Sequence, residues 1–233
     1  MQPPTPPTRA LLLDAMGTLV RLDPPGPSLR RELAYRFGLL LSPAETERAM
    51  GAEIALYRQR MHGASDPAGV QALRAAAAEA LRAALPPDRR LPDVSTPELV
   101  EALLASLHFT AYPDALPALR WARQRGMRIV VVSNWDSALG EMLGRVGLAP
   151  WLDGVVSSAV AGVAKPDPAI FAIALAEVGV DAAEALHVGD SLAEDVAGAR
   201  AAGVRAVWLD RSGSSTAQDV SAISSLAELT DRL

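Results

Sequence analysis

The chain has 233 residues, half of them apolar, with a formal net charge of −5 and no cysteine. This length allows one large domain or a core with a second unit, and the lack of cysteine excludes disulfides, thiolate metal sites and a cysteine nucleophile. No apolar run approaches the roughly 20 residues that span a bilayer, and the acidic balance offers no basic footprint for nucleic acid, so the expectation is a cytoplasmic protein that binds neither.

Residues 1–9 are rich in proline and lack the charged-then-apolar order of a secretory leader; they read as a short disordered tail. Residues 10–13 form an apolar run ending in Asp14, the pattern of a buried strand, with Gly17 and Thr18 as a turn. Residues 21–27 carry proline and glycine and read as a linker. From residue 28 to about 107, apolar positions recur at helical spacing, as in Leu29, Leu33 and Phe37. Breakers at Ser42-Pro43, Ser65-Asp66-Pro67 and Pro86-Pro87 divide this stretch into about four helices.

After Pro113 strands and helices alternate. Strands are predicted over residues 128–132, 154–157, 185–188 and 205–209. Helices are predicted over 113–125, 137–146, 167–178 and 192–202, several of them closed by glycine. Such alternation implies a parallel sheet covered on both faces. Residues 10–13 belong to that sheet, so the helical stretch is an insertion. The predicted architecture is a doubly wound, Rossmann-like core (residues 10–22 and 109–233) with an all-helical second domain at 23–108.

Ligands of an open parallel sheet bind beyond the carboxyl ends of its strands. Those positions here hold Asp14 and Thr18, then Ser133, Asn134 and Asp136, then Lys165 before Pro166, then Asp190, Glu194 and Asp195. Lys165 is the only lysine among 22 basic residues, and a compact rotatable ammonium is not equivalent to arginine at a tight anion site. A carboxylate can attack phosphorus. Hydroxyls, an amide and an ammonium can hold the transferring oxygens. Two carboxylates such as Asp14 and Asp190 suit a hard cation that removes the repulsion between carboxylate and phosphate.

Four segments together resemble the signatures of the haloacid dehalogenase-like (HAD) superfamily. They are Leu11-Leu12-Leu13-Asp14-Ala15-Met16-Gly17-Thr18-Leu19, Val131-Val132-Ser133-Asn134, Lys165-Pro166-Asp167-Pro168, and Val188-Gly189-Asp190 through Asp195. The stretch around Ser133-Asn134-Trp135-Asp136 and residues 187–203 are most similar to the HAD-domain-containing-3-like, phosphatase-like branch. The resemblance implies a HAD core with a helical cap that closes over the site. It implies Asp14 as nucleophile and magnesium ligand, the Met16 backbone carbonyl and Asp190 as further ligands, and Asp195 as a ligand or its supporting partner. Thr18, Ser133, Asn134 and Lys165 would hold the phosphoryl group. Trp135 and Arg21 are candidate substrate contacts. The implied activity is Mg2+-dependent hydrolysis of a small phosphorylated compound through an aspartyl-phosphate, by a monomer or homodimer.

One position departs from the pattern. Phosphatases of the family carry a second Asp two residues after the nucleophile, and this chain has Met16, which has no proton to give. General acid–base catalysis is worth typically about 10²–10⁴-fold. Three readings therefore stand: a slow or specialised phosphatase, a 2-haloacid dehalogenase, or a phosphate- or partner-binding protein without turnover. Phosphonoacetaldehyde hydrolases also lack the second Asp but use a cap lysine, and residues 21–110 contain none. Plainer roles apply nearby: Asp136 as a helix cap, His187 as a core residue, and Trp121, Trp151 and Trp208 as packing against the sheet. His62, His108 and His187 show no metal-ligand spacing.

Overall fold

The computed structural model describes residues 6–88, 90–213 and 220–231; residues 1–5 of the expected tail lie outside these. Contacts divide the chain into two compact units, residues 1–21 with 111–233, and residues 22–110.

The first unit is built on six parallel strands in the order β5-β4-β1-β6-β7-β8, with β1 at Ala10–Leu13, β4 at Arg128–Ser133, β5 at Gly154–Ser157, β6 at Ala185–Gly189, β7 at Arg205–Leu209 and β8 at Ala222–Ile223. Strand β1 pairs with β4 on one side and β6 on the other, so Leu13 faces Val131 and Val188 across the two ladders. Every residue of β1 and β6 is buried, as expected of central strands covered on both faces. One face packs Leu12, Val130, Val132 and Val156 against Ile170, Phe171 and Ala174. The order reverses at β1, which places the sheet's switch point beside Asp14.

Helices α5 (Ala115–Gln124), α6 (Leu139–Arg145), α7 (Ser158–Ala161), α8 (Pro168–Val178) and α9 (Ala197–Ala201) connect these strands. Two differ from the sequence reading. The helix expected over 192–202 begins as a π-helical segment at Leu192–Val196 before α9; such wide turns often mark functional sites. Helix α6 starts later than expected because Asp136 accepts from the Ala138 N–H at 2.8 Å and holds its first residues in a turn. Thr8 and Arg9, read as tail, are tied down instead. The Arg9 N–H donates to Glu184 O, its carbonyl accepts from Arg128, and Thr8 Oγ1 accepts from Arg205. Extended backbone entering a central strand meets donors and acceptors on both sides.

The second unit holds α1 (Pro25–Phe37), α2 (Pro43–Arg60), α3 (Pro67–Ala84) and α4 (Thr96–Ser106). The expected linker is shorter than its composition suggests, since Pro25, Gly26 and Pro27 open α1. A helix leaves its first N–H groups unpaired, so proline loses nothing there. Ser42 with Glu45 and Ser95 with Glu98 form reciprocal capping boxes. The four helices close on Leu29, Leu33, Leu81, Leu99 and Leu103. Short strands β2 (Val20–Leu22) and β3 (Phe109–Ala111), not visible in the sequence pattern, pair where the chain leaves and re-enters the first unit.

Candidate active site

The carboxyl ends of β1, β4 and β6 bring together side chains that are far apart in sequence. Ser133 Oγ donates to Asp14 Oδ1 at 3.0 Å, and Lys165 Nζ donates to the same oxygen at 2.6 Å. Lys165 also donates to Asp195 Oδ1 at 2.5 Å, an atom within 2.9 Å of His187 Nε2. Asp14, Ser133, Lys165 and Asp195 are all buried, whereas Asp190 lies at the exposed rim. Carboxylate oxygens of Asp14, Asp190 and Asp195 fall within 4.8 Å of one another.

Two glycines make this packing possible. A methyl group on Gly17 would overlap the Asp190 carboxylate, and one on Gly189 would overlap that of Asp195. Gly17 also adopts φ +82°, the left-handed region that glycine enters without strain. The π-helical segment returns Asp195 beneath β6. There the Ser191 N–H donates to Asp195 Oδ2 at 2.9 Å, leaving this carboxylate largely occupied by protein donors.

Asn134 fixes the lysine rather than facing Asp14. Its Oδ1 accepts from the Lys165 N–H at 2.8 Å, and its Nδ2 donates to the Lys165 carbonyl at 3.0 Å and to Glu194 Oε2 at 3.1 Å. These two hydrogen bonds to one residue's backbone set where the ammonium emerges.

The electrostatics follow from three carboxylates sharing one ammonium. Burial raises the Asp14 carboxyl above its ordinary range; Lys165 opposes that rise and the Asp195 charge adds to it. Burial alone would discharge Lys165, yet Asp14 and Asp195 outweigh it and keep the ammonium well above its usual range. Burial also works against Asp195, but His187 and Lys165 prevail and hold it ionised. Asp190 is pushed up to about 6, by its partial burial at the rim first and then by the Asp14 and Asp195 charges. A hard divalent cation ligated by carboxylate oxygens would offset the mutual repulsion of these carboxylates and matches that donor set.

Other predicted residues sit differently. Thr18 is fully buried and its hydroxyl has no hydrogen-bond partner among the described residues. Met16 pairs as a backbone bridge with Val20. Trp135 is buried, with its N–H donating to Ser158 Oγ at 3.1 Å. Arg21 is exposed, its guanidinium carbon 5.9 Å from the centre of the Tyr112 ring. None of these four side chains is among the groups bonded to Asp14.

Several contributors escaped the sequence reading. His187 is a core residue, as expected, but it also bonds Asp195, and Phe171 meets its ring edge-on at 5.0 Å. Trp208 does more than pack, since its Nε1 donates to the Asp190 carbonyl at 2.8 Å. Arg211 reaches the carbonyls of Gly17 and Thr18. The rule that exposed strand ends near Asp14 would have found Arg211 two residues beyond β7.

Comparison with known proteins places this geometry. The haloacid dehalogenase-like hydrolase model matches residues 8–203. The phosphoserine phosphatase of Thermus thermophilus is 43% identical over 116 residues, 49% of this chain and 47% of that protein. The haloacid dehalogenase-like hydrolase domain-containing protein 3 of Bos taurus is 46% identical over 86 residues, 37% of this chain and 34% of that protein. The chain thus spans between about a third and a half of these relatives' length. Among solved structures, a HAD phosphatase from Thermococcus onnurineus superposes with a TM-score of 0.66 at 27% identity, covering 97% of both chains. A 2-haloacid dehalogenase from Pseudomonas syringae superposes at 0.65 and 26% identity, covering 96% of this chain and 97% of that one. The parallel core, the strand-end cluster and the match over most of its length agree: the chain belongs to the haloacid dehalogenase-like hydrolase family.

Proposed function

We propose that the protein is a magnesium-dependent phosphatase of small phosphorylated compounds, working through a phospho-aspartate on Asp14. The observation that carries this reading is the pairing of Asp14 with Ser133 and Lys165 on one oxygen, beside the acidic Asp190. In the first step Asp14 attacks phosphorus, its new oxygen–phosphorus bond forms, and the ester oxygen leaves with the bonding pair. In the second step water attacks the same phosphorus, releasing inorganic phosphate and restoring the Asp14 carboxylate, with the water proton passing to phosphate or solvent.

Ser133 and Lys165 supply donors to the phosphoryl oxygens, and Asn134 holds Lys165 where it can do so. Asp14, Asp190 and the Met16 carbonyl are the residues that would hold magnesium, with Asp195 supporting them through Lys165 and His187. Magnesium supplies charge neutralisation between the carboxylate and the phosphate dianion. Arg21 and Trp135 are the substrate contacts of this reading.

Methionine at position 16 leaves the departing oxygen without a dedicated acid, so substrates with good leaving groups are favoured. The same residue favours a second reading, a 2-haloacid dehalogenase, because a halide departs without a proton. The acidic cluster argues for the phosphatase.

Hydrolysis of p-nitrophenyl phosphate, whose leaving group needs little protonation, tests the choice. Turnover that needs both magnesium and Asp14 is expected, and Asp14→Asn abolishes it. Failure of wild type on this substrate, with EDTA-resistant release of chloride from a 2-chloro acid, would replace the phosphatase with the dehalogenase.

A further inference from the structure

The loop between β1 and β2 turns sharply on itself. Leu19 and Val20 N–H groups both donate to the Ala15 carbonyl at 2.9 Å, Gly17 N–H donates to Val20 O at 2.8 Å, and Tyr112 N–H donates to Leu19 O at 2.9 Å. The carbonyls of Gly17 and Thr18 at its apex share one side-chain donor. Arg211 Nε donates to Gly17 O at 3.0 Å, and Nη2 donates to Thr18 O at 2.6 Å.

Arg211 is itself held from two sides. Its Nη1 and Nη2 each lie 3.0 Å from an oxygen of Asp114, and its guanidinium carbon sits 3.7 Å from the Tyr112 ring centre. Asp114 stands at the N-terminus of α5 but does not cap it. Its Oδ2 instead accepts from Ser225 Oγ at 2.7 Å and from the Leu226 N–H at 2.9 Å. These four donations leave the guanidinium one N–H at most, so Arg211 is poorly equipped to receive an anion and well equipped to hold a shape.

The loop it holds carries the site. Gly17 lies against the Asp190 carboxylate so closely that no side chain fits between them. The peptide joining Met16 to Gly17 carries the carbonyl placed above among the cation ligands. A loop that relaxes at Gly17 and Thr18 therefore moves that carbonyl and the surface on which Asp190 rests.

We propose that Arg211, seated on Tyr112 and oriented by Asp114, is a positioning residue that fixes the loop after the nucleophile in the shape that lets Asp14, Asp190 and the Met16 carbonyl share a cation. The inference rests on the magnesium-dependent reading for its catalytic consequence, but its structural part is separately measurable.

The test compares wild type, Arg211→Ala, Arg211→Lys and Asp114→Asn in two assays on the intact chain: calorimetric titration with magnesium chloride alone, and hydrogen exchange of the peptide spanning residues 14–20. Arg211→Ala is expected to weaken magnesium binding about tenfold or more and to speed exchange in that peptide by a similar factor. Arg211→Lys keeps the charge but not the fork, and behaves like the alanine variant. Asp114→Asn moves both readouts the same way by less, and added guanidinium partly restores Arg211→Ala. In turnover the loss falls on kcat and on the magnesium requirement rather than on KM for p-nitrophenyl phosphate.

Unchanged exchange over residues 14–20 in the variants, with only a lowered melting temperature, would overturn the proposal and reduce Arg211 to a staple for the C-terminal segment. If wild type binds no magnesium, the functional reading fails, and the exchange comparison still decides whether Arg211 sets the loop.

Discussion

Glu53 lies on α2 at 5% exposure, and burial alone pushes its carboxyl from 4.5 up to about 7. Well below pH 4.5 the group is protonated in both folded and unfolded chains and has no effect on stability. As pH rises toward 7 the unfolded chain releases the proton first, so the folded state loses stability, and above 7 the loss is complete. At about 1.4 kcal/mol per pH unit the full loss is about 3 kcal/mol, of which about 1 kcal/mol is already present at pH 5. Glu53→Gln keeps the shape and removes the charge. It is expected to stabilise the protein by about 3 kcal/mol at pH 8 and by about 1 kcal/mol at pH 5. Urea unfolding of both proteins at the two pH values, followed by helical circular dichroism, measures this. Other titrating groups, Asp190 included, cancel when the variant is compared with wild type at the same pH. An equal gain at both pH values would mean that packing rather than charge was changed, and no gain at pH 8 would refute the reasoning.

Two further predictions concern the site. Lys165→Met removes the ammonium shared by Asp14 and Asp195 and leaves two carboxylates buried together. Turnover should vanish and stability at neutral pH should fall by about 3–5 kcal/mol; denaturation that matches wild type would show that the pair is already solvated. Met16→Asp places an acid two residues after Asp14 and, on the phosphatase reading, should raise hydrolysis of an alkyl phosphate by about 10²–10⁴-fold, with little effect on p-nitrophenyl phosphate. Equal changes on both substrates would rule out leaving-group protonation as the missing step.

Much of this protein follows from the sequence by itself. The fold class was legible because strand and helix periods differ and because proline and glycine mark element ends: the runs at residues 128–132 and 205–209 became β4 and β7 with little change. The four helices of residues 22–110 were legible for the same reason, since Ser42-Pro43 and Asp66-Pro67 are helix starts in any context. The rim residues were legible because a parallel sheet aims the carboxyl end of every strand at the same edge, and Asp14, Ser133 and Asp190 stand at those ends.

Only the tertiary structure decided how those residues divide their roles. Asn134 bonds the Lys165 backbone rather than Asp14, which no spacing reveals because the partners are 31 positions apart. Asp195 reaches the lysine through a π-helical turn, and a regular helical reading of residues 192–202 points it elsewhere. Trp208, His187 and Arg211 join the site by donating to backbone or to already buried carboxylates. Such bonds leave no pattern in the chain. The sequence dictates local geometry because that depends on neighbours a few residues away, whereas the charge balance at Asp14 depends on distances set when distant strands pair.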